Sequence, residues 1–524
     1  MQFPDERIRL QALSRRKLIV SSLLLAGSST KFARALRAGD SFFTVRPAGG
    51  KSDTKALQAA IDAAHAHGGG TVHIRAGRYT VGTLQLRSKV SLWLDSGATL
   101  IMSADLSEFL PVEKLAYNPK SDRETADFHH ALLSGDAVED IAIFGEGEID
   151  CNRTKRGGPK PIALRSCSHV AIQNISIRNA PNYTISLLGC EFVTIDGVTL
   201  RNGFSDGIDP DCSRYVRITN CFVESVDDAI CLKSSYALGE LRPTEYVTVD
   251  NCILRTASIH FKCGTESCGG FREIAVSNCV FQGGMGMRHG NPGIALYTTD
   301  GGALEDVVIS NIVMRDVGTP LAIMRGNWDT CSLGPPGPLA TVRISNVVAS
   351  GAKLPSVIAG LPDWPVTGVS IDGFSVSMAN SGTGATALET IPEVPHKYPQ
   401  PTMFGPLPAF GIFVRHASDV NLRDLHLQPA PGENRAAIVA DDVDDLQLLD
   451  FEDLSNTSDP HLWFKDVRNS VVESIGAPPS RSQSYRVDGA ETANLSFVNK
   501  TALSGQNPVL DVGQTVPPGA VRQK

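Results

Sequence analysis

The chain has 524 residues, a formal net charge of -8 and 42% hydrophobic residues. This length and apolar content are sufficient for a large buried core, and the acidic balance gives no support to nucleic-acid binding. The 48 glycines and the aromatic content of 6% favour a turn-rich β protein over a helical one.

The first 35 residues have the pattern of an export signal. The pair Arg15-Arg16 precedes an apolar run over residues 18–26, and residues 33–35 form a small-x-small cleavage site. The run is too short to span a bilayer. Paired arginines are typical of the twin-arginine route, which exports folded proteins in bacteria; an ordinary secretory signal is the alternative. We therefore expect residues 1–35 to be removed from a periplasmic or extracellular protein that has no membrane segment.

Residues 40–138 are predicted to form an N-terminal capping helix and the first coils of a repetitive structure. Residues 52–54 offer a helix N-cap, and the glycines of residues 68–70 end the helix. Short strand-like runs follow, such as residues 90–94. A helix at this place would cover the unpaired edge of a stacked β structure. Its predicted apolar face consists of Leu57, Ala60, Ile61 and Ala64.

From residue 139 to about 475, a short motif recurs, in several cases at intervals of 23 to 29 residues. Two apolar residues stand two positions apart, as Val216 and Ile218 do, which is the signature of a strand. Two positions further on, every repeat has Gly, Asn or Asp, which tolerate a left-handed backbone conformation. Strand, bend and strand therefore alternate, which predicts an all-β fold, a parallel β-helix with one coil per repeat. The asparagines at the predicted bends are Asn174, Asn220, Asn251, Asn278, Asn311 and Asn346.

Two parts of the chain depart from this repeat. Residues 379–410 are rich in Gly, Thr and Pro and are predicted to form an insertion. The coils resume near residue 420 and fade by about 475, so residues 476–524 are predicted to form a C-terminal cap and tail, loosely attached after Thr501.

The eleven cysteines are an odd number, so at least one thiol is unpaired within the chain. Cys221, Cys252 and Cys279 recur at one position of the repeat. This register predicts a row of interior thiols rather than a metal site.

Two acidic clusters lie about one repeat apart. Asp206 follows Val193 by 13 residues, and Asp227 and Asp228 follow Val216 by 11 and 12. The three acids are therefore expected on one face of adjacent coils, whose strands are about 4.8 Å apart. With a small lateral offset, this allows the roughly 6.5–9.5 Å that an inverting glycosidase leaves for a water molecule between two carboxyl groups. Turn-capping acids and a calcium site are the alternatives.

On these motifs the chain resembles the polygalacturonase family of glycoside hydrolases, family 28. Phe204-Ser205-Asp206 corresponds to the family's Asn-Thr-Asp motif and Asp227-Asp228 to its Asp-Asp motif, and the resemblance runs from about Phe42 to Gly326. It implies a right-handed, single-stranded parallel β-helix of the pectin-lyase-like type that cleaves pectic polysaccharides with inversion. It also implies that Asp227 is the general acid and that Asp206 and Asp228 activate water.

The chain differs from the family at two motifs. Ser258 stands at the position of the Gly-His-Gly histidine, with His260 two residues away, and residues 295–297 (Ala-Leu-Tyr) align with the Arg-Ile-Lys motif. Arg and Lys at that motif would grip a uronate carboxylate. Tyr297 would instead stack on a sugar ring or pack in the core. The candidate substrate-binding residues are Lys233, Ser258, His260, Lys262, Tyr297 and Arg325, with Arg288 as a further source of positive charge.

These observations predict an exported, monomeric hydrolase that needs no cofactor or metal. Its expected substrate is a pectin-type polysaccharide or oligosaccharide, and polygalacturonan, rhamnogalacturonan and substituted oligogalacturonides all remain open. Two alternatives share the fold: a calcium-dependent polysaccharide lyase, and a carbohydrate-binding β-helix without catalysis.

Overall fold

The computed structural model describes residues 41–328, 331, 334–384, 388–453, 460–474, 484–499 and 508–524. The export signal predicted for residues 1–35 lies outside this part of the chain. Among the described residues, no helix has the length and apolar character that a membrane span needs.

The described chain folds as a parallel β-helix of 37 strands that are joined in one sheet system. The strands are β1 (Phe42–Val45), β2 (Gly70–Ile74), β3 (Gly77–Val81), β4 (Leu84–Gln85), β5 (Val90–Leu94), β6 (Ala98–Met102), β7 (Ala131–Asp136), β8 (Glu139–Gly145), β9 (Glu148–Asp150), β10 (Lys160–Arg165), β11 (Ser168–Gln173), β12 (Ser176–Arg178), β13 (Ile185–Leu188), β14 (Glu191–Asp196), β15 (Thr199–Gly203), β16 (Ile208–Asp211), β17 (Arg214–Thr219), β18 (Phe222–Ser225), β19 (Ile230–Ser234), β20 (Thr244–Asp250), β21 (Ile253–Thr256), β22 (Phe261–Ser267), β23 (Phe271–Gln282), β24 (Pro292–Thr298), β25 (Val307–Arg315), β26 (Thr319–Arg325), β27 (Val342–Ala352), β28 (Ser356–Ala359), β29 (Val366–Met378), β30 (Ala409–Gln428), β31 (Ala436–Asp453), β32 (Leu462–Arg468), β33 (Val471–Ser474), β34 (Ser484–Asp488), β35 (Leu495–Asn499), β36 (Val509–Val512) and β37 (Val521–Gln523). The α-helices are α1 (Thr54–Ala66) and α2 (Arg123–Ala126), and short 3-10 helices cover Leu106–Glu108, Arg288–Gly290, Leu388–Thr390 and Pro401–Phe404.

Equivalent strands of successive coils form three faces. One of them, called the front face below, contains β7, β10, β13, β16, β19, β22, β24, β26 and β28 and continues into the first halves of β30 and β31. A second face begins with β1, β2, β5 and β8, and a third with β3, β6, β9 and β12. From β23 to β31, one long strand in each coil serves both the second and the third face.

Alternating side chains fill the interior, as the sequence period of two predicts. In β17, Val216 and Ile218 are buried, whereas Tyr215 and Arg217 face outward. Val216 pairs in register with Val193 in the preceding coil and with a valine in the following one. Each interior position therefore becomes a row of apolar side chains, and these rows merge into one continuous core.

The bends between the second and third faces are formed by the predicted asparagines. Asn174, Asn220, Asn251, Asn278, Asn311 and Asn346 all have φ between 52 and 60°, so the predicted left-handed positions are confirmed. Their side chains also bond along the axis: Asn220 Nδ2 donates to Asp196 at 2.8 Å, and Asn251 Nδ2 donates to Asn220 Oδ1 at 2.7 Å. The amide ladder ties neighbouring coils together at the point where the backbone is most constrained.

Replacing Asn220 by valine is expected to destabilise the protein. A left-handed conformation costs a residue with a Cβ about 1–2 kcal/mol, more for a β-branched one, and each lost amide hydrogen bond costs about 1 kcal/mol. The midpoint of thermal unfolding measures the effect. Asn220→Gly is the matched control, because glycine adopts this conformation freely and loses only the ladder bonds. An Asn220→Val protein as stable as Asn220→Gly would contradict the conformational argument.

Helix α1 covers the N-terminal end of the coils, as predicted. Leu57, Ile61 and Ala64 are buried against the core, and the helix ends at Ala66 just before the glycines. The predicted N-cap differs in one respect: the Asp53 carboxylate makes no capping bond to the helix. It accepts hydrogen bonds from the backbone amides of Ala48 at 2.9 Å and Thr80 at 3.1 Å instead, because these donors of the first coil lie closer to it.

The described residues of the segment 379–410 lie over the front face. Their apolar side chains, among them Ile391 and Phe404, pack with Tyr297 and Met324 of β24 and β26 in a second hydrophobic cluster. This contact covers the outer surface of β24 and β26.

The coils extend further than predicted. Strands β34 to β37 continue the parallel pairing to Gln523, so the expectation that the coils fade by residue 475 and that residues 508–524 are loosely attached is wrong. These late strands have three to five residues. They were missed because Ser470 takes the place of the first apolar residue of the motif in the coil that follows Leu446.

The cysteine register is confirmed for the interior row. Cys221, Cys252 and Cys279 are buried on successive coils. One pair that the spacing did not predict, Cys268 and Cys331, forms a disulfide with a Cα–Cα distance of 5.8 Å. The bond joins the end of β22 to the loop that follows β26.

Candidate active site

Three carboxyl groups meet at the start of adjacent front-face strands. Asp206 precedes β16, and Asp227 and Asp228 precede β19. The amide of Gly207 donates to the carbonyl of Asp228 at 2.9 Å, which stacks the two coils directly. Carboxylate oxygens of Asp206 and Asp228 therefore lie within 4.8 Å of each other, so this pair is closer than the separation of roughly 6.5–9.5 Å that the register allowed for. All three acids are buried, with 3 to 7% of their surface exposed.

Asp228 is held as a carboxylate. Its Oδ1 accepts hydrogen bonds from Ser258 Oγ at 2.6 Å and from the amide of Ile259 at 3.1 Å, and its Oδ2 lies 2.8 Å from Lys262 Nζ. Burial opposes ionisation, but the Lys262 charge and these hydrogen bonds outweigh it and lower the pKa of Asp228 to about 2. This group is therefore a fixed negative charge that can orient a water molecule.

Asp206 has the opposite electrostatic character. Burial, reinforced by neighbouring carboxyl groups, raises its pKa well above the ordinary value, against the opposing charge of Lys233. Lys233 Nζ lies 3.2 Å from Asp206 and 3.4 Å from Asp209, and it donates to the Tyr183 hydroxyl at 2.6 Å. Burial likewise raises the pKa of Asp209 to about 7. Asp206 and Asp228 thus differ in proton affinity, and Asp228 is the member of the pair that stays ionised.

On the solvent side of the cluster, two arginines contact the carboxylate of Asp227. Its Oδ2 lies 2.5 Å from Arg156 Nη1 and 2.9 Å from Arg288 Nη2. Arg156 is itself gripped by the Glu124 carboxylate, which also accepts a hydrogen bond from Ser205 at 2.9 Å. The backbone carbonyl of Asp227 accepts a hydrogen bond from Ser225 at 2.7 Å, so both ends of the residue are positioned.

Two segments border the cluster along the helix axis. On the N-terminal side, Asp122, the N-cap of α2, accepts a hydrogen bond from Tyr183 at 2.6 Å. On the C-terminal side, the Tyr398 hydroxyl of the insertion lies 3.0 Å from Lys262 Nζ. The ring of Tyr398 also contacts His289 and Trp328, at centroid distances of 4.6 and 5.5 Å. The hydroxyls of Tyr183 and Tyr398 thus flank the cluster on its two sides.

Of the predicted substrate-binding residues, Lys233, Ser258 and Lys262 lie in the cluster, and three others do not. Ser258 stands where the family histidine was expected and bonds Asp228 directly. His260 is fully buried, stacks on Phe281 at 5.5 Å, and has Nδ1 3.1 Å from the Pro292 carbonyl. Burial also lowers its pKa. The prediction that His260 contacts substrate is corrected on this ground, because its ring lies inside the coil.

Tyr297 and Arg325 are corrected for similar reasons. Tyr297 is fully buried beneath the insertion, so its ring offers no face to a sugar. Arg325 donates to the backbone carbonyls of Pro336 at 2.7 Å and Pro365 at 2.9 Å, and these bonds occupy its guanidinium away from the acids.

Sequence analysis missed four residues of this site: Glu124, Arg156, Tyr183 and Tyr398. Arg156 lies in a basic loop between β9 and β10, and Tyr398 lies in the insertion. Neither segment follows the repeat, so no register placed them. The cluster of Arg153, Lys155 and Arg156 was the available signal for Arg156.

The carboxylates do not fit a calcium site. Among the described residues, the one group of three or more candidate metal ligands consists of Asp206, Asp228 and Cys231. Calcium takes oxygen ligands, six to eight of them, and a thiol is a poor substitute. Lys233 and Lys262 already provide the positive charge beside these carboxylates.

Comparisons with known proteins identify the family of the chain. The model of the Glycosyl hydrolases family 28 matches residues 114–381. A "Probable polygalacturonase" of Vitis vinifera is 24% identical over 358 residues, which cover 62% of this chain and 71% of that protein. An "Endo-polygalacturonase" of Pectobacterium carotovorum subsp. carotovorum is 23% identical over 310 residues, covering 53% and 73%.

Solved structures show the same fold. An exopolygalacturonase from Thermotoga maritima has a TM-score of 0.55 at 20% identity and covers 67% of this chain and 90% of its own. A family 28 exopolygalacturonase from Yersinia enterocolitica has a TM-score of 0.56 at 16% identity, covering 92% and 80%. The predicted right-handed parallel β-helix is thereby confirmed.

Proposed function

Since the chain belongs to the glycosyl hydrolases family 28, we propose that it hydrolyses the glycosidic bonds of a pectin-type polysaccharide or oligosaccharide with inversion. The observation that carries the proposal is the buried acid cluster, in which Asp228 is ionised while burial raises the pKa of Asp206. Such a pair binds and polarises water, and Asp227 stands beside it as a third carboxyl group.

In this mechanism, Asp227 donates a proton to the glycosidic oxygen as the bond to the anomeric carbon breaks. A water molecule held by Asp206 and Asp228 attacks that carbon from the opposite face of the sugar. Its proton passes to this carboxyl pair. No carboxylate attacks the sugar, so the anomeric configuration inverts.

We further propose that the protein is exported and acts as a monomer. The disulfide between Cys268 and Cys331 supports export, because disulfides persist in oxidising compartments. The acids, cations and aromatic residues of the site all come from one chain, which supports a monomer.

Incubation with defined pectic oligosaccharides is expected to release reducing ends at an unchanged rate when a calcium chelator is present. Hydrolysis leaves no unsaturated ring, so ultraviolet absorbance should stay flat, and proton NMR should show the inverted anomer first. Asp227→Asn serves as the matched inactive control. Absorbance that grows with turnover and disappears with chelation would support the lyase. Binding of these oligosaccharides without any product would support a non-catalytic carbohydrate-binding protein.

A further inference from the structure

The two arginines on Asp227 differ from the other cations of the site. Lys233 and Lys262 are buried, with side-chain exposures of 3 and 4%. Arg156 and Arg288 have exposures of 39 and 45%, yet both reach the same oxygen, Asp227 Oδ2. They are thus positive charges of the cluster that an incoming substrate meets from solvent.

We propose that Arg156 and Arg288 form an exchangeable carboxylate clamp. In the free protein the clamp holds Asp227, and in the complex Arg288 transfers to the carboxylate of a uronate residue of the substrate. The inference rests on the proposed function and names the charged sugar as its preferred substrate class. The residues that recognise the charge of the substrate are then not those aligned with the Arg-Ile-Lys motif. Ala295 and Tyr297, which stand at that motif, are buried.

The contacts indicate which arginine moves to the substrate. Arg156 is fixed by Glu124, to which both Nε and Nη2 donate. Arg288 has Asp227 as its one ionic partner within the described part of the chain. A planar guanidinium can bind a carboxylate with two parallel hydrogen bonds. Arg288 contacts one oxygen of Asp227, so it gains a second hydrogen bond when it moves to the carboxylate of the substrate.

The exchange also predicts discrimination against neutral sugars. When a uronate binds, its carboxylate takes the place of the Asp227 carboxylate beside Arg288. Arg288 therefore has a negative partner both before and after binding. A neutral sugar that displaces Arg288 leaves a charge without its partner, and this penalty disfavours its binding.

The transfer prepares Asp227 for its proposed role. Oδ2 accepts N–H groups from both arginines, which fills the two lone-pair directions of a carboxylate oxygen. When Arg288 moves to the substrate, one direction becomes free, and Asp227 can take up a proton from solvent there and then donate it to the leaving oxygen.

Arg288→Gln tests the clamp on trigalacturonate and on its methyl ester, which has the same linkage without the charge. We expect KM for the charged substrate to rise about 10- to 100-fold and KM for the ester to change less than about 3-fold. Arg288→Lys should recover part of the loss, because the charge remains and the fork is absent. Arg272→Gln is the matched control, since Arg272 is a half-exposed arginine paired with Glu245 outside the site.

Equal effects on both substrates, or none on either, would overturn the clamp. Calorimetric titration of the two trisaccharides into Asp206→Asn protein, with and without Arg288→Gln, decides the question independently of turnover. If the wild type hydrolyses neither substrate, the proposed function fails. A loss of charged-ligand binding on Arg288→Gln would then still support the clamp, and unchanged binding would exclude it.

Discussion

Asp227→Asn is expected to lower the rate of hydrolysis of a natural pectic oligosaccharide by about 10²–10⁴, the usual contribution of a general acid. The amide keeps the shape of the side chain but carries no acidic proton. A nitrophenyl glycoside has a leaving group that needs little protonation, so the same variant should retain far more of its activity on that substrate. Steady-state kinetics on the two substrates measure this difference.

Asp206→Asn and Asp228→Asn are the controls for this assignment. Both act on the attacking water, which every substrate needs, so neither should be rescued by the better leaving group. Near-full activity of a folded Asp227→Asn protein on the natural substrate would remove Asp227 from the role of acid. If the better leaving group rescued all three variants equally, protonation of the leaving group could not be assigned to Asp227 alone.

Lys262→Met is expected to destabilise the fold by about 3–5 kcal/mol, because it leaves the buried Asp228 carboxylate without its cation. Methionine fills a similar volume, so packing changes little. Chemical denaturation measures the free energy of unfolding. The double variant Lys262→Met with Asp228→Asn is the control: it removes both charges and should recover most of the loss. A single variant as stable as the wild type would contradict the pairing seen between Lys262 Nζ and Asp228 Oδ2 at 2.8 Å.

The same pair predicts a pH dependence. The pKa of Asp228 is about 2 in the folded protein against its ordinary value of 3.8, so this group stabilises the fold above about pH 4. That contribution, roughly 2 kcal/mol, is lost as the pH falls from about 4 to 2. In Lys262→Met the cause of the low pKa is gone, and the acid-side loss from this residue should disappear. Unfolding free energies measured across this window check the sign.

The fold could be predicted from the sequence because its rules are local. A strand period of two and a residue that tolerates a left-handed bend recur in each coil, so Asn220 and its equivalents fix the register by themselves. The register then places Asp206 beside Asp228 without further information. The C-terminal coils were missed because the motif is broken where they begin: the register places Ser470 opposite Leu446, so the apolar pair of the repeat is incomplete there.

The surroundings of the acids could not be predicted in the same way. Arg156 and Tyr398 reach the cluster from segments without a repeat, so nothing in their local sequence defines their position. Ser258 was identified by alignment as the residue in place of the histidine. The burial of His260 and Tyr297 depends on which side chains cover a coil, and such long-range packing leaves no local pattern.

Asp206 and Asp228 are stacked on consecutive coils, and this limits how changes in the amino-acid sequence can affect the site. Their separation follows from backbone hydrogen bonds such as that between Gly207 and Asp228, which repeat at about 4.8 Å. The length of a connecting loop does not enter this distance. Segments such as residues 379–410 can therefore be lengthened, shortened or exchanged while the reacting groups keep their spacing. We therefore expect that changes in such loops can alter which sugar is bound while the spacing of the carboxyl groups stays the same.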